Sequence, residues 1–296
     1  MVPVLRDAGL SDLIDSDEVE ILAQGFQFTE GPLWLPDGAL LFQDIKAERT
    51  YRLAPDRSVH ILREQTGAAN GQTFDPQGRI LFCEQTGRRV SRMNPDGTEV
   101  ETIAELWDGK RLNSPNDIVC RSDGRIYFTD PPYGVKPEDK EIPFQGVYLL
   151  EPGGMLRPIA DDFEKPNGLA FSPDECLLYI CDTARYHIRT FDVADSGTLV
   201  PGSGRVFATM DPQQPGGPDG LKIDTAGRVY AAVAEGVWVY EPTGKLLGII
   251  GLPKRPSNLA WADPDGKALA ITAVDTVYRV RLKVAGLVPR FLPRRS

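Results

Sequence analysis

The chain has 296 residues, of which 41% are hydrophobic and 25% are charged, and its formal net charge is −9. An acidic surface repels phosphate backbones and anionic lipids, and basic residues cluster only in the short tail at residues 289–296. We therefore expect neither nucleic acid nor a membrane as a partner. No stretch approaches the roughly 20 apolar residues of a membrane helix. The N-terminus carries acids where a signal peptide would carry a basic head, so we expect a cytoplasmic protein.

Short strand-like runs, separated by glycine and proline, fill the chain. Examples are residues 39–44 (ALLFQD), 125–129 (RIYFT) and 277–282 (VYRVRL), which are rich in β-branched and aromatic residues. The 29 glycines and 25 prolines are spread between such runs as turn signals, and helical periodicity is nearly absent. The pattern predicts an all-β fold.

One strand-turn-strand unit occurs six times, and this repeat predicts the architecture. The units begin at Glu30, Asn70, Asn116, Asn167, Asp219 and Asn258. Their spacing of roughly 40 to 50 residues is typical of the four-stranded blade of a propeller. Turn triplets such as Pro36-Asp37-Gly38 separate the two strands of each unit and predict hairpins. The chain is therefore predicted to be a six-bladed β-propeller.

The last unit offers only three strands, so a fourth must come from elsewhere. Residues 19–23 are strand-like and precede the first unit. We expect them to complete the last blade and close the ring, which removes an exposed sheet edge. Residues 1–296 then form a single domain, with an N-terminal arm at 1–18 and a C-terminal tail at 285–296.

Each unit begins with a side chain that carries an oxygen atom. If the first strand of each unit is the innermost, these six side chains converge on one mouth of the central channel. A simpler interpretation is that Asn and Asp before Gly form turns that cap a strand start. Six such residues in register favour a shared axial site.

Converging oxygens with two carboxylates, Glu30 and Asp219, suit a hard divalent cation, and Ca²⁺ is favoured. Zinc is less favoured because His60 and His187 lie outside the repeat motif and no thiolate stands near it. Oxygen ligands also accept Mg²⁺, Mn²⁺ or Fe²⁺. The cysteines form no CxxC pair, and those at 83, 120 and 181 fall in strand-like runs, so we expect small buried hydrophobic residues there.

Four strings resemble the SMP-30/gluconolactonase/LRE-like family: EGPLW at Glu30, RLNSPNDIVCRSDGRIYFTDPPYG at 111–134, KPNGLAFSPDE at 165–175 and PDGLKID at 218–224. The resemblance spans about residues 25–282. It implies a six-bladed propeller that holds a divalent metal, usually calcium, on its axis and hydrolyses lactones of sugar acids. By that resemblance, Glu30, Asn167 and Asp219 match metal ligands, and Asn116 matches a position that contacts metal or substrate.

One departure from the family pattern affects the expected substrate. Animal members place an arginine two residues before the Asn116 position to hold substrate hydroxyls, and this chain has Ser114 there. An acidic substrate contact of those members falls near Tyr133 and Gly134. The chain therefore resembles the bacterial gluconolactonase-like branch, and the identity of the lactone stays open. Tyr133 is a candidate substrate wall, with a packed turn tyrosine as the alternative.

The mechanism we expect is hydrolysis of the lactone by a metal-activated water. Asp219 is the candidate general base as well as a ligand, and Glu30 neutralises the ion. A rival hypothesis is a phosphotriesterase-like hydrolase in which Asp219 is the nucleophile, and another is a non-catalytic propeller that binds a partner. No GxSxG elbow is present, so a serine nucleophile is not predicted. Loops at 105–115, 131–143 and 210–218 are expected to shape the mouth.

Overall fold

The computed structural model describes residues 2–16, 18–213 and 216–288. Apart from two 3-10 turns, Ser11–Leu13 and Pro137–Asp139, the regular structure in these ranges consists of β-strands. Six antiparallel sheets are arranged as blades, which confirms the predicted propeller. A further two-stranded sheet, Leu106–Trp107 with Lys110–Arg111, lies between blades 2 and 3 in the chain.

The blades follow the chain order, and in each the first strand is the innermost. Blade 1 comprises Thr29–Trp34, Leu40–Asp44, Arg49–Leu53 and Val59–Glu64. Blade 2 comprises Ala69–Phe74, Ile80–Glu84, Arg89–Met93 and Glu101–Ala104. Blade 3 comprises Ile118–Cys120, Ile126–Asp130, Gln145–Leu150 and Leu156–Phe163. Blade 4 comprises Pro166–Phe171, Leu177–Asp182, His187–Asp192 and Arg205–Thr209. Blade 5 comprises Leu221–Ile223, Val229–Val233, Gly236–Tyr240 and Leu246–Gly251. Blade 6 comprises Asn258–Ala262, Ala268–Ala273, Thr276–Arg281 and the N-terminal strand Glu20–Gln24.

The ring closes as the sequence predicts. Glu20–Gln24 pairs antiparallel with Thr276–Arg281 as the outer strand of blade 6. The first strands of successive blades contact one another around the axis, and that of blade 6 contacts that of blade 1. Ser257 adds a direct link, because its hydroxyl donates a hydrogen bond of 2.8 Å to the carbonyl of Thr29.

The terminal segments pack against the ring more closely than an arm and a tail would. Val4–Leu5 pairs with Leu246–Gly251 as a fifth strand of blade 5, and Leu10 is fully buried. At the other end, the amide of Leu287 donates to the carbonyl of Ile223, which anchors the start of the tail on blade 5. The remainder of the predicted tail, 289–296, lies outside the described residues. No helix in the described ranges is long and apolar enough to cross a membrane.

The hydrophobic core is divided into six layers, one between each pair of neighbouring blades. Successive residues of a second strand serve different layers: Leu41 packs toward blade 2, whereas Leu40 and Phe42 pack toward blade 6. The second strands are therefore buried on both faces and read as continuous apolar runs rather than as alternating ones. Cys83 and Cys181 are buried in these layers, Cys120 is half-buried and Cys176 is exposed.

An acid at the end of the second strand holds the inner loop in three blades. The carboxylate of Asp44 accepts hydrogen bonds from the amides of Gln27 and Phe28. Asp130 accepts from Asn113 and Ser114, and Asp182 accepts from Glu164 and Lys165, in the same manner. We call the first residue of each repeat unit its axial residue, because it lies next to the propeller axis. In each of these three blades, the second amide belongs to the residue two positions before the axial residue. These buried acids therefore fix the backbone that presents Glu30, Asn116 and Asn167.

The glycine after the axial residue permits close approach of the next blade, rather than forming a turn. A Cβ atom on Gly168 would lie 2.6 Å from Cα of Gly220 and would also meet the carbonyl of Asp219. A Cβ atom on Gly71 would lie 2.6 Å from Cα of Asp117. Gly71, Gly168 and Gly220 donate backbone hydrogen bonds to the following blade. Of these glycines only Gly31 has a positive φ, so inter-blade contact, not turn geometry, explains the repeat.

We expect Gly168→Ala to lower the free energy of unfolding by about 1–3 kcal/mol, because backbone atoms of blade 5 cannot make room for the methyl group. Gly153→Ala is the matched control, since nothing lies within 4 Å of its Cβ position. Urea unfolding of both variants measures the difference. Equal stability of the two variants would contradict the close-approach role.

Candidate functional site

The axial side chains lie together at one mouth of the channel, and Glu30 is the most enclosed carboxylate among them. Its side chain is buried, and its Oε2 atom accepts hydrogen bonds from the amide of Gly31 at 2.7 Å and from Nδ2 of Asn258 at 3.1 Å. Burial raises the pKa of Glu30 well above its usual range, and the charges of Asp219 and Asp117 raise it further. Glu30, Asp219 and Asp117 are therefore close enough to repel one another.

Asp219 and Asn167 form the second part of the cluster. Burial raises the pKa of Asp219, and the charge of Asp117 adds to the rise, whereas Arg255 and the amide of Asn167 oppose it. The amide of Gly168 also donates to the carbonyl of Asp219 at 3.1 Å, which ties the two blades together. The structure thus brings together Glu30, Asn167 and Asp219, the three residues that the family resemblance matched to metal ligands.

Asn116 lies at the same mouth, with its backbone fixed on both sides. Its amide donates to the carbonyl of Thr129 at 2.9 Å, and its carbonyl accepts from the amide of Gly71 at 2.8 Å. Its side chain is buried and makes no hydrogen bond with the part of the chain that the structure describes. The amide group of Asn116 is therefore available to an ion or a substrate, as the prediction requires.

Asp117 is a third buried carboxylate that the sequence interpretation missed. Its Oδ1 atom accepts from the amide of Ile118 at 2.9 Å, and its Oδ2 atom lies 3.4 Å from Nδ2 of Asn258. Burial raises its pKa, and the charge of Lys222 opposes the rise. A signal was present in the repeat: Asp117 occupies the position at which four of the other units have glycine.

The amide of Asn258 bridges two of these carboxylates, and its Oδ1 atom accepts the amide of Leu259 at 2.8 Å. The oxygen of Asn258 is thus committed to the backbone. Asn258 positions Glu30 and Asp117 and is not a candidate ligand. The set of Glu30, Asn116, Asn167 and Asp219 as metal ligands stays a prediction.

The axial carboxylates differ from the other buried acids in their partners. Asp75, Glu84 and Asp224 each pair with an arginine, and Asp44, Asp130 and Asp182 each accept two or more backbone amides. Within the described ranges, no lysine or arginine nitrogen lies within 4.0 Å of a carboxylate oxygen of Glu30, Asp117 or Asp219. No direct ion pair in the described ranges therefore offsets the charge of this cluster when its acids are ionised.

The donor set fits a hard divalent cation. Its side-chain donors are carboxylate and amide oxygens, which suit Ca²⁺. No three His, Cys, Asp or Glu side chains in the described ranges are placed to hold an ion on their own. The amide oxygens of Asn116 and Asn167 would therefore have to complete the set. His60 and His187 lie in outer strands of blades 1 and 4, away from the axis.

Tyr133 forms one side of the mouth. Its ring is 42% exposed, and its hydroxyl lies 3.4 Å from Nδ2 of Asn167. The hydroxyl of Ser114 accepts the amide of Gly134 at 2.8 Å and so holds the loop that carries the ring. Ser114 is fully buried and cannot contact a substrate itself. The ring position supports the wall interpretation of Tyr133, whose role stays a prediction.

The fold and this cluster define a class: a six-bladed propeller with an axial cluster of acids and amides at one mouth. Residues 28–275 match the SMP-30/gluconolactonase/LRE-like region. The chain therefore belongs to the SMP-30/gluconolactonase/LRE-like family.

Individual relatives agree with the assignment. A gluconolactonase of Zymomonas mobilis is 33% identical over 92% of this chain and 83% of its own length. Pentonolactonase XacC of Haloferax volcanii is 29% identical over 82% of this chain and 80% of its own length. The solved structure of a gluconolactonase from Xanthomonas campestris is 34% identical, covers 95% of each chain and superposes with a TM-score of 0.87.

We expect Asp117→Asn to stabilise the ion-free protein at pH 8 by on the order of 1 kcal/mol. A carboxyl whose pKa is raised by folding lowers stability at pH values above that raised pKa, and Asn removes this charge while it keeps the oxygen that accepts Ile118. Urea unfolding in the presence of chelator, at pH 8 and at pH 4.5, should show the larger gain at pH 8.

Asp44→Asn is the matched control for this variant. Asp44 is also buried, but its carboxylate accepts backbone amides, so the same substitution places an amide donor against them and should destabilise the protein. A loss of stability in Asp117→Asn comparable with that in Asp44→Asn would show that the axial acids do not repel one another.

Proposed function

We propose that the chain is a lactonase that opens a sugar-acid lactone, such as gluconolactone, with a divalent cation held by Glu30, Asn116, Asn167 and Asp219. The proposal is carried by the cluster of three carboxylates, two of them buried and one half-buried, without an ion-pair partner in the described ranges, at the mouth of a propeller whose named relatives are lactonases. Among cations, Ca²⁺ is our first choice because all the donors are oxygen atoms.

When bound, such a cation would act as a Lewis acid on the ester carbonyl and favour the negative charge that develops there. The residues of the chain supply the remaining chemistry. Asp219 is half-buried beside the axis and accepts a proton from the attacking water. The water oxygen bonds to the carbonyl carbon, the ring C–O bond breaks, and the proton passes from Asp219 to the leaving ring oxygen.

Three further groups position the reactants. Asn258 holds Glu30 by a hydrogen bond, so the buried carboxylate keeps its orientation. Thr183 accepts Nδ2 of Asn167 at 3.0 Å and donates to the carbonyl of Pro218 at 2.7 Å, which links the side chain of Asn167 to the backbone beside Asp219. Tyr133 closes one side of the mouth with its ring. A lactone ring would lie between these side chains and the axial acids.

We expect Asp219→Asn to fold with native stability or better and to lose turnover of gluconolactone by at least about 100-fold, because the amide cannot accept the proton. Asp195→Asn, at an exposed turn carboxylate of blade 4, is the matched control and should keep full activity. A lactone panel followed by proton release measures both variants.

The same panel separates the rival hypotheses. Turnover of phosphotriesters and not of lactones would indicate the phosphotriesterase-like hydrolase. Unchanged lactone turnover in Asp219→Asn would remove Asp219 from the mechanism. A wild-type protein that turns over neither substrate class would favour a binding role for the propeller face.

Removal of the cation should abolish lactone turnover reversibly. After chelation and dialysis, Ca²⁺ should restore activity and raise the unfolding temperature in a concentration-dependent way. The free energy of unfolding should rise by about 2.7 kcal/mol at a hundredfold excess over Kd. Parallel titrations with Mg²⁺, Mn²⁺, Fe²⁺ and Zn²⁺ rank the ions. Glu30→Gln should lose the stabilisation by Ca²⁺. Full activity in chelated protein of verified metal content would contradict the cation's role.

A further inference from the structure

Arg255 stands apart from the other arginines of the protein. It lies in the segment that leads to the first strand of blade 6, and its side chain is exposed. Among the arginines in the described ranges, it is the one that makes no hydrogen bond, ion pair or ring contact. Even Arg6 and Arg63, which lack a carboxylate partner, cover the rings of Trp238 and Phe82. The guanidinium of Arg255 is therefore free to bind a ligand.

The guanidinium of Arg255 packs against the backbone of Gly216. A Cβ atom on Gly216 would lie 2.8 Å from Cζ of Arg255, 2.9 Å from Nη2 and 3.0 Å from Nη1. Three nearly equal distances mean that the planar group lies flat over the backbone of Gly216. The residue also has a φ of +85°, which favours glycine. Any side chain at this position would displace Arg255, which accounts for the first glycine of the GGPDG string.

The guanidinium lies beside the candidate site. It packs on Gly216, three residues before Asp219, and its own residue precedes Asn258 of the axial cluster by three positions. Lys165 adds a second cation, with Nζ at 5.6 Å from the centre of the Tyr133 ring. The carboxylates of the described residues form no ion pair with Lys165. One edge of the mouth therefore carries two unpaired cations in a protein of net charge −9.

On a neutral lactone, such cations could donate hydrogen bonds only to single hydroxyl, ring or carbonyl oxygens. A guanidinium with free N–H groups matches an oxyanion in two parallel hydrogen bonds, which neither a hydroxyl nor a ring carbon can offer. Arg255 also stands outside the axial cluster, because none of its side-chain nitrogens lies within 4.0 Å of a carboxylate oxygen of Asp219. Its placement suits a substituent that projects from the ring, away from the ester.

We propose that Arg255, assisted by Lys165, binds an anionic substituent of the substrate, so that the enzyme prefers lactones that carry a second acidic group. The substituent is a carboxylate, a phosphate or a sulfonate remote from the ester carbonyl. This inference rests on the proposed lactonase function. It makes Arg255 a specificity-determining residue, whose contribution is to KM for the charged substrate.

The test compares kcat/KM for neutral glucono-1,5-lactone with that for its 6-phosphate and for a glucaric acid lactone. We expect the wild-type enzyme to prefer at least one charged lactone by about tenfold or more, and the preference to fall about tenfold in Arg255→Met, mainly through KM. The two charged substrates distinguish phosphate from carboxylate. Arg205→Met, at an exposed arginine that pairs with Asp192 in blade 4, is the matched control and should keep the wild-type ratio.

Two further readouts separate recognition of charge from a general effect on the site. The preference of the wild-type enzyme for the charged lactone should weaken as the salt concentration is raised. Arg255→Lys should keep only part of this preference, because lysine carries the charge but cannot donate two parallel hydrogen bonds from a planar group. A wild-type enzyme without preference for a charged lactone would overturn the proposal. So would an equal loss on neutral and charged substrates in Arg255→Met, since Arg255 would then serve the axial acids.

Failure of the lactonase function itself gives a different result. If no lactone is turned over, calorimetric binding of 6-phosphogluconate to wild type and to Arg255→Met still decides the role of Arg255. Binding about tenfold weaker in the variant would support an anion site, and equal affinity or no binding would overturn it.

Discussion

Repulsion among buried carboxylates at the axis is the constraint on which the rest of this structure depends. Glu30, Asp117 and Asp219 lie on three different blades. Burial raises the pKa of each relative to an exposed acid, and the charges of neighbouring acids raise the pKa of Glu30 and Asp219 further. A flexible site would relieve this by moving the groups apart. The ring does not permit it, because each acid lies in, or within two residues of, an inner strand that contacts both neighbours.

Rigidity of the ring comes from contacts that are short and made largely by backbone. Gly168 and Gly220 bring blades 4, 5 and 6 so close that a methyl group would not fit, and their amides donate to the next blade. Six apolar layers, one at each interface, hold the outer parts of the blades. The free energy gained by burying apolar side chains in these layers offsets the cost of holding like charges together. A strained polar cluster can therefore persist in a stable fold.

The architecture could be predicted because its signals are local and repeat. The position of the first strand, the hairpin turns and the missing fourth strand of blade 6 all follow from patterns within one unit. Asp117 was missed because candidate side chains were sought only at the first position of each unit, and Asp117 occupies the second, where four of the other units have glycine. Asp44 and Asp219 are the same residue type, and what separates a structural acid from an axial one is its partner. Those partners, backbone amides for Asp44 and other acids for Asp219, come from segments whose proximity only the folded ring defines.

The contacts of Ser114 explain what this residue does at the position where animal members of the family have an arginine. Related animal proteins were expected to use an arginine at this position, but here the buried hydroxyl accepts the amide of Gly134 and holds the Tyr133 loop. Blade 3 therefore contributes a wall instead of a cation. An unpaired arginine at the mouth comes instead from Arg255, which precedes the inner strand of blade 6. Because the blades are related by rotation about one axis, a charge moved from blade 3 to blade 6 approaches the same cluster from another direction. Under the proposed lactonase function, such a change would alter which part of a bound lactone meets the charge while the axial acids keep their positions.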